Sequence, residues 1–460
     1  MVLAALLGTT ACGGAGPAAM GNVSVSLSDP ATCVGPTGPF SHVYVTVKDV
    51  QASASGNGSG SFVDLTPNLS KAPLQVDLLG QPSSQCLLAT LGATVALQPG
   101  NYQQIRLILL DNANADLLPA PGNKCVPSGV VGPVANNCVV LSSTGVVDPI
   151  ALSSEATTGI KIPSGQIAGG QFTVAAGQSV NLNLDFNTCA SIVAEGSGGF
   201  RLKPVLHAGE LSLNSGSING TVVDQATAKP VSGGVVMVAL EQKDAAGIDR
   251  VVMATDADTN GNFVFCPVPA GTYDVVAVGV SGSNVAYAAT ITTGVANGTN
   301  VGNVQLIAEA GASTAPGTIT GTVSSATSSA ATVADITLSA LQTATAGSGT
   351  VVFTVPLVQQ MEATANLATA VSVSCALNTD CGSYSLSLPA APATVGAFAA
   401  AGTTYSAGSG AASYTVEAAA AIPSSGGTAD CSPSSLTTSA VTVAGGGSVS
   451  AAALAFTGCQ

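Results

Sequence analysis

The chain has 460 residues, 46% of them hydrophobic and only 7% charged, with 10 Lys and Arg against 24 Asp and Glu for a net charge of -14. That length predicts roughly three domains, and the apolar content is enough for real cores, which excludes wholesale disorder. The acidic balance excludes nucleic acid as a partner and gives no pull toward anionic lipid, while charge so far below the roughly 25% of ordinary soluble proteins leaves Ser, Thr, Asn, Gln and Gly to make the surfaces.

Residues 1–19 open with MVLAALLGTTACGG, an apolar run ending in small residues and a cysteine. The run resembles the end of a bacterial lipoprotein signal peptide, with Ala11 as the small residue before Cys12. It departs from that pattern at Thr9, where Leu is preferred, and in having no Lys or Arg ahead of the run. The resemblance implies a lipid on Cys12. With Gly13 and Gly14 behind it and no Asp, it also implies the outer membrane, facing the periplasm or the cell surface. No later stretch has the roughly 18 uninterrupted apolar residues of a membrane helix, so a body tethered by acyl chains is expected.

From residue 20 to 212 the pattern alternates with period two, the signature of half-buried strands. Val23, Val25 and Leu27 alternate with serines, Val43, Val45 and Val47 with His42, Tyr44, Thr46 and Lys48, and Leu182, Leu184 and Phe186 with Asn181, Asn183 and Asp185. IRLILL, from Ile105 to Leu110, is apolar on nearly both faces and belongs mid-sheet. The ordered blocks SLSDPATC, HVYVTVKDVQAS, LQPGNYQQIRLIL, TGIKIPSG, FTVAAGQSVNLNLDFNTCASIV and FRLKPV resemble an uncharacterised all-β domain of bacterial lipoproteins, the domain of unknown function 4382 type. It offers no catalytic residues to carry over. By resemblance, Cys33 and Cys189 form a pair; the insert around Cys125 and Cys138 departs from the shorter loop of that pattern.

A repeat begins after Leu213. Ser217-Ile218-Asn219-Gly220-Thr221-Val222 corresponds to Thr318-Ile319-Thr320-Gly321-Thr322-Val323, and Val235, Met237, Ala239 to Ile336, Leu338, Ala340, so two modules stand in tandem at 213–310 and 311–460. The first, with its GTV, DxxGxF and PAGTYDV stretches, resembles the carboxypeptidase regulatory-like module, a prealbumin-like sandwich that serves as a structural or binding accessory. The expected fold class is all-β: an N-terminal β-sandwich-type domain, then two Ig-like or prealbumin-like sandwiches joined by loops. In the first module Asp256, Asp258 and Asn260 have the spacing of a calcium loop, yet the acidic ligand due at the twelfth position is Pro267. Asn260-Gly261 is a hairpin dipeptide, so a turn is predicted rather than a metal site. The turns Pro99-Gly100-Asn101 and Pro269-Ala270-Gly271-Thr272 each precede a tyrosine, Tyr102 and Tyr273, whose ring is expected in the core with its hydroxyl on the turn backbone.

Setting Cys12 aside, the 11 cysteines leave ten, an even number suited to an oxidising compartment. Cys125 with Cys138, Cys375 with Cys381, and Cys431 with Cys459 are close in sequence; Cys86 and Cys266 have no assigned partner. His42 and His207 are single histidines with no second ligand nearby, read as surface or edge polarity. The nucleophile-elbow, zinc and phosphate-loop templates lack a match, and no cofactor or enzyme activity is expected. Phe186, Phe263 and Phe265 fall on strand positions that point to core packing, and without Trp there is no aromatic platform for sugars. The resulting expectation is a non-enzymatic, lipid-anchored envelope protein with a structural, adhesive or partner-binding surface, its partner a protein or glycan. The alternative is a periplasmic or surface ligand-binding lipoprotein with a concave polar cleft in residues 20–212.

Overall fold

The computed structural model describes residues 19–28, 40–54, 61–79, 89–152, 155–162, 164–167, 170–194, 199–202, 204, 206–211, 216–327, 335–346, 349–357, 363–365, 379–421 and 430–459. The fold is all-β. Apart from the helix Thr188–Ser191 and two short 3-10 turns, every regular element among the described residues is a strand, and no helix there is long and apolar enough to cross a membrane.

In the first body a four-stranded sheet, ordered Leu206–Leu211, Ser179–Phe186, Gly21–Ser28, Ala89–Leu97, packs on a nine-stranded sheet organised around the long strand Phe40–Ser53. The alternating residues do what their period dictates: Val23, Val25, Leu27, Val43, Val45, Val47, Leu182, Leu184 and Phe186 are in one core. Each such side chain taken from water contributes about 1.5–3 kcal/mol. The mid-sheet strand Gln104–Leu109 is buried on both faces apart from half-buried Ile108, and its burial takes in Gln104 and Arg106 along with the apolar residues.

The repeat is visible as a repeated pairing scheme. Strand Gly216–Asp224 pairs antiparallel with Asn262–Val268 and parallel with Asn300–Leu306. Strand Gly317–Thr327 pairs antiparallel with Thr379–Leu388 and parallel with Leu454–Cys459. The glycine common to both copies has a steric reason: Gly220 sits opposite Phe263 and Gly321 opposite Tyr384. A Cβ on Gly220 would lie 3.0 Å from the Phe263 ring, and one on Gly321 would lie on the Tyr384 ring. The glycine leaves the space that the facing aromatic covers.

The two copies differ from the expected pair of sandwiches connected only by loops. Ile248–Asp256 pairs in parallel with Gly349–Val355, and Ala286–Ala296 with Thr394–Ala397, so a 16-stranded sheet among the described residues runs from the second body into the third. The physical cause lies in the strands Val235–Lys243 and Thr272–Val280, which are apolar on both faces. Val236, Val238, Leu240, Val275 and Ala277 fill the second body's own core. Met237, Ala239, Val276 and Val278, pointing the other way, join Ile336, Leu338, Phe353, Tyr414 and Val416 in a core shared with the third. Period-two alternation thus feeds two cores from one sheet.

Candidate functional site

The strands that pack on the core with Leu182, Leu184 and Phe186 turn Asn183 and Asp185 the opposite way. The alternation predicts a half-wet face there; the structure corrects this, leaving Asn183 at 5% and Asp185 at 2% exposure. His207 is corrected in the same way. Read as surface or edge polarity, it is instead 1% exposed and sits directly across the strand pair from Asp185. The reason is common to all three: the second body covers this face. A cavity of about 20 Å³ lies at the seam, lined by Asn183, Asp185 and His207 on one side and by Leu240, Met253, Pro269 and Tyr273 on the other. That is room for about one water.

The seam is polar but sparsely paired. Ser28 Oγ donates to Asp185 Oδ1 at 2.9 Å and accepts from Asn183 Nδ2 at 2.8 Å. Asp185 Oδ2, Asn183 Oδ1 and His207 Nδ1 are buried without a hydrogen-bond partner. Burial pushes the Asp185 carboxyl up to about 7, against the opposing pull of the Ser28 hydroxyl and the Ala254 amide from the second body. Burial alone pushes His207 down to about 4. Between about pH 4 and pH 7 both groups are therefore held uncharged.

A second polar group lies where the second body meets the third. Glu241, fully buried, accepts from the Thr354 amide at 3.2 Å, and Thr354 Oγ1 donates to the Asp249 carbonyl at 3.0 Å. Arg250 grips Glu417 with two bonds of 2.7 and 3.1 Å while its Nε donates to Asp244 at 3.0 Å, the paired geometry that makes guanidinium–carboxylate contacts strong. Lys243 reaches Asp249 at 3.5 Å and Asp274 at 3.6 Å. Burial, then the neighbouring Asp274, pushes Asp249 up to about 7, and burial raises Glu241 well above the carboxylate range.

The Asp256–Asn260 stretch is a turn. Asp258 Oδ1 accepts from the amides of Asn260 and Asn262, both at 2.8 Å, and Gly261 takes a φ of 78°, so one of the two carboxylates in the calcium spacing is occupied in closing a hairpin. Among the described residues no group of three His, Cys, Asp or Glu is arranged to hold a metal. Tyr102 Oη donates to the Gln98 carbonyl at 2.9 Å and Tyr273 Oη to the Pro269 carbonyl at 3.0 Å, each with its ring buried. His42 is exposed, bonded to Asp77 at 2.6 Å.

Cys125 is bonded to Cys138 and Cys431 to Cys459; Cys266 and Cys381 are also disulfide-bonded. Cys12, Cys33, Cys86, Cys375 and the side chain of Cys189 lie outside the described residues. The Cys125–Cys138 bridge closes a loop with no charged residue, VPSGVVGPVANN. Beneath its tip, asparagines fix it: Asn136 Nδ2 bonds the carbonyls of Asp111 and Asp116, Asn137 Nδ2 that of Leu110, and Asn123 Nδ2 that of Ala135. At its tip Val130, Val131 and Val134 face solvent, Val131 completely; they make three of the six large exposed hydrophobics among the described residues. Sequence reasoning missed this surface. The signal was the doublet Val130-Val131 between Gly129 and Gly132, too short for a strand.

Residues 20–204 match a family described as a domain of unknown function, DUF4382. No curated protein matches the sequence. Among solved structures, the Bacillus anthracis TIE protein is 10% identical over 96% of this chain with a TM-score of 0.16, and this chain spans only 51% of it. The shaft pilin SpaA from Lactobacillus rhamnosus GG is 10% identical over 63% of this chain and 98% of its own, TM-score 0.17. A DUF3823 family protein from Bacteroides uniformis ATCC 8492 is 13% identical over 45% of this chain and 90% of its own, TM-score 0.16. At TM-scores this low, none of the three likenesses speaks to what this chain does.

Proposed function

We propose that the chain is a non-enzymatic, lipid-anchored cell-envelope protein whose stacked β bodies hold a contact surface for a protein or glycan partner. The observation that carries this reading is the bridged loop at 125–138: apolar at its tip, uncharged, and fixed underneath by a disulfide and asparagine bonds. Exposed valines gathered in one place are a feature of interaction surfaces, and a rigid base lowers the entropy lost on contact. The disulfides support an oxidising compartment. The anchor rests on Cys12 and the apolar run before it, and the outer membrane on the glycines behind it. The seam cavity, at about 20 Å³, is far below the size of the ligand cleft that the alternative reading requires.

The test is acyl labelling of cells making the full chain, together with protease treatment of intact cells. Label in the wild-type chain, none in Cys12→Ser, and cleavage of the chain from outside are expected. An unlabelled wild-type chain with reduced thiols would overturn the reading.

A further inference from the structure

The seam between the first and second bodies holds two titratable groups that no part of the proposed function uses. Asp185 and His207 are directly opposed in the register of Ser179–Phe186 and Leu206–Leu211, on one face of their sheet. Both line the same small cavity, and each has a buried atom, Oδ2 and Nδ1, with no hydrogen-bond partner. No Lys or Arg lines the cavity. On the neighbouring strand Gly21–Ser28, only the Ser28 hydroxyl reaches Asp185; on Leu206–Leu211, Glu210 turns away to the Thr173 amide, and on Ile160–Ile162, which packs against Leu206–Leu211, the half-buried Lys161 is not among the cavity's lining residues.

Across the seam, Glu241, Lys243, Arg250 and Asp274 have partners elsewhere, and Asp256 does not line the cavity. On Val235–Lys243, Glu241 bonds Thr354 and Lys243 reaches Asp249 and Asp274. On Ile248–Asp256, Arg250 bonds Asp244 and Glu417, and Asp256 stands at the strand's end, buried. Asn262–Val268 carries no charge, and the Asp274 carboxylate of Thr272–Val280 accepts from the Gly294 amide. Nothing on the second body supplies a counter-charge to either group.

We propose that Asp185 and His207 form an uncharged, proton-balanced pair at the seam between the first body and the second, so that opening the seam exchanges a neutral carboxylic acid and imidazole for a carboxylate and an imidazolium. The balance is one proton lost by Asp185 to solvent and one gained by His207, with none taken up or released overall. The sign comes from each group alone. Asp185, raised to about 7, favours the closed seam at low pH and loses that contribution as pH rises from about 4 to about 7. His207, lowered to about 4, favours it at high pH and loses that contribution as pH falls from about 6.5 to about 4. Over the shared window the two slopes cancel, and the opening equilibrium of the seam is independent of pH across the mildly acidic range.

The cancellation is what makes the proposal testable. Removing either partner should leave the other's slope uncovered, about tenfold in the opening equilibrium per pH unit and opposite in sign. The readout is hydrogen exchange of amides in Leu206–Leu211 and Ile248–Asp256, in the full oxidised chain from pH 4 to 6.5 and corrected for intrinsic rates. Wild-type protection is expected to be flat, Asp185→Asn to open as pH falls, and His207→Gln to open as pH rises. Slopes of the same sign in the two variants, or no slope in either, would overturn it. If a variant fails to fold, the wild-type chain still decides: it has only two histidines, so histidine NMR resolves His207 directly. A neutral ring at pH 5.5 is expected; an imidazolium there would mean a buried ion pair and end the proposal. The pair is independent of where the chain is anchored, so either result leaves the lipid-labelling test untouched.

Discussion

Between the first and second bodies lie Asn183, Asp185 and His207 around a small cavity; between the second and third lie Met237, Ala239, Val276 and Val278 packed into the next module's core, two parallel strand pairings and the Arg250–Glu417 clamp. At the first boundary, polar groups of the first body, each desolvated and incompletely paired, face Leu240, Met253, Pro269 and Tyr273 of the second, and polar groups buried in that way contribute little net stability. The second is made of backbone bonds and apolar area, the terms that dominate folding. One boundary is therefore a joint and the other a weld. Residues 216–459 should behave as one cooperative block, with the first body beside it as a separable unit.

Phe353 breaks this comparison most severely. It is fully buried in the core that both modules share, and Phe→Ala at such sites costs about 3–5 kcal/mol. In calorimetry of the full chain, Phe353→Ala should lower a single transition that belongs to both modules, leaving the first body's transition in place. Two transitions for residues 216–459, only one of them shifted, would show that the modules are beads rather than a block.

Cys125→Ser asks the converse question. Opening the 13-residue separation of the Cys125–Cys138 bridge should cost about 3 kcal/mol, all of it in the first body's transition. A matching drop in the block would mean that the joint transmits stability as the weld does.

The weld has its own pH signature. Asp249 is raised to about 7, so the stability it lends is present below about pH 4 and lost as pH rises to about 7; Glu241, raised too, acts in the same sense. The block's melting temperature should therefore fall by several degrees across that range. In Asp249→Asn the fall should be shallower, and an unchanged fall would remove Asp249 from the account.

The residues legible in the sequence and those hidden in it answer to the same period-two rule. Alternation placed Val23, Leu182, Phe186, Phe263 and Phe265 inside, and the Pro-Gly turns placed Tyr102 and Tyr273, because each of these depends on local geometry. Asn183, Asp185 and His207 were illegible because an alternating polar face reads the same whether it meets water or another domain. The doubly apolar run Val275-Val276-Ala277-Val278 did signal a second buried face, without naming what would cover it. Arg250 and Glu417, 167 residues apart, leave no trace in spacing at all.

The smallest expected effect is at Tyr273, the residue nearest to both sides of the comparison. Its ring belongs to the second body's core and its edge lines the cavity of the joint, while its hydroxyl donates to the Pro269 carbonyl at 3.0 Å. Tyr273→Phe keeps the ring and removes only that bond, leaving the carbonyl of a tight turn without its donor, a loss of about 1 kcal/mol. Because Tyr273 rises from the block's side of the joint, the loss should appear in the block's transition, as a shift of about 2–4 °C for a unit of this size. The first body should stay where it is. An unchanged melting temperature would make the hydroxyl incidental. A shift confined to the first body would mean that the turn at 269–272 serves the joint, and that the division into joint and weld has been drawn on the wrong side of this residue.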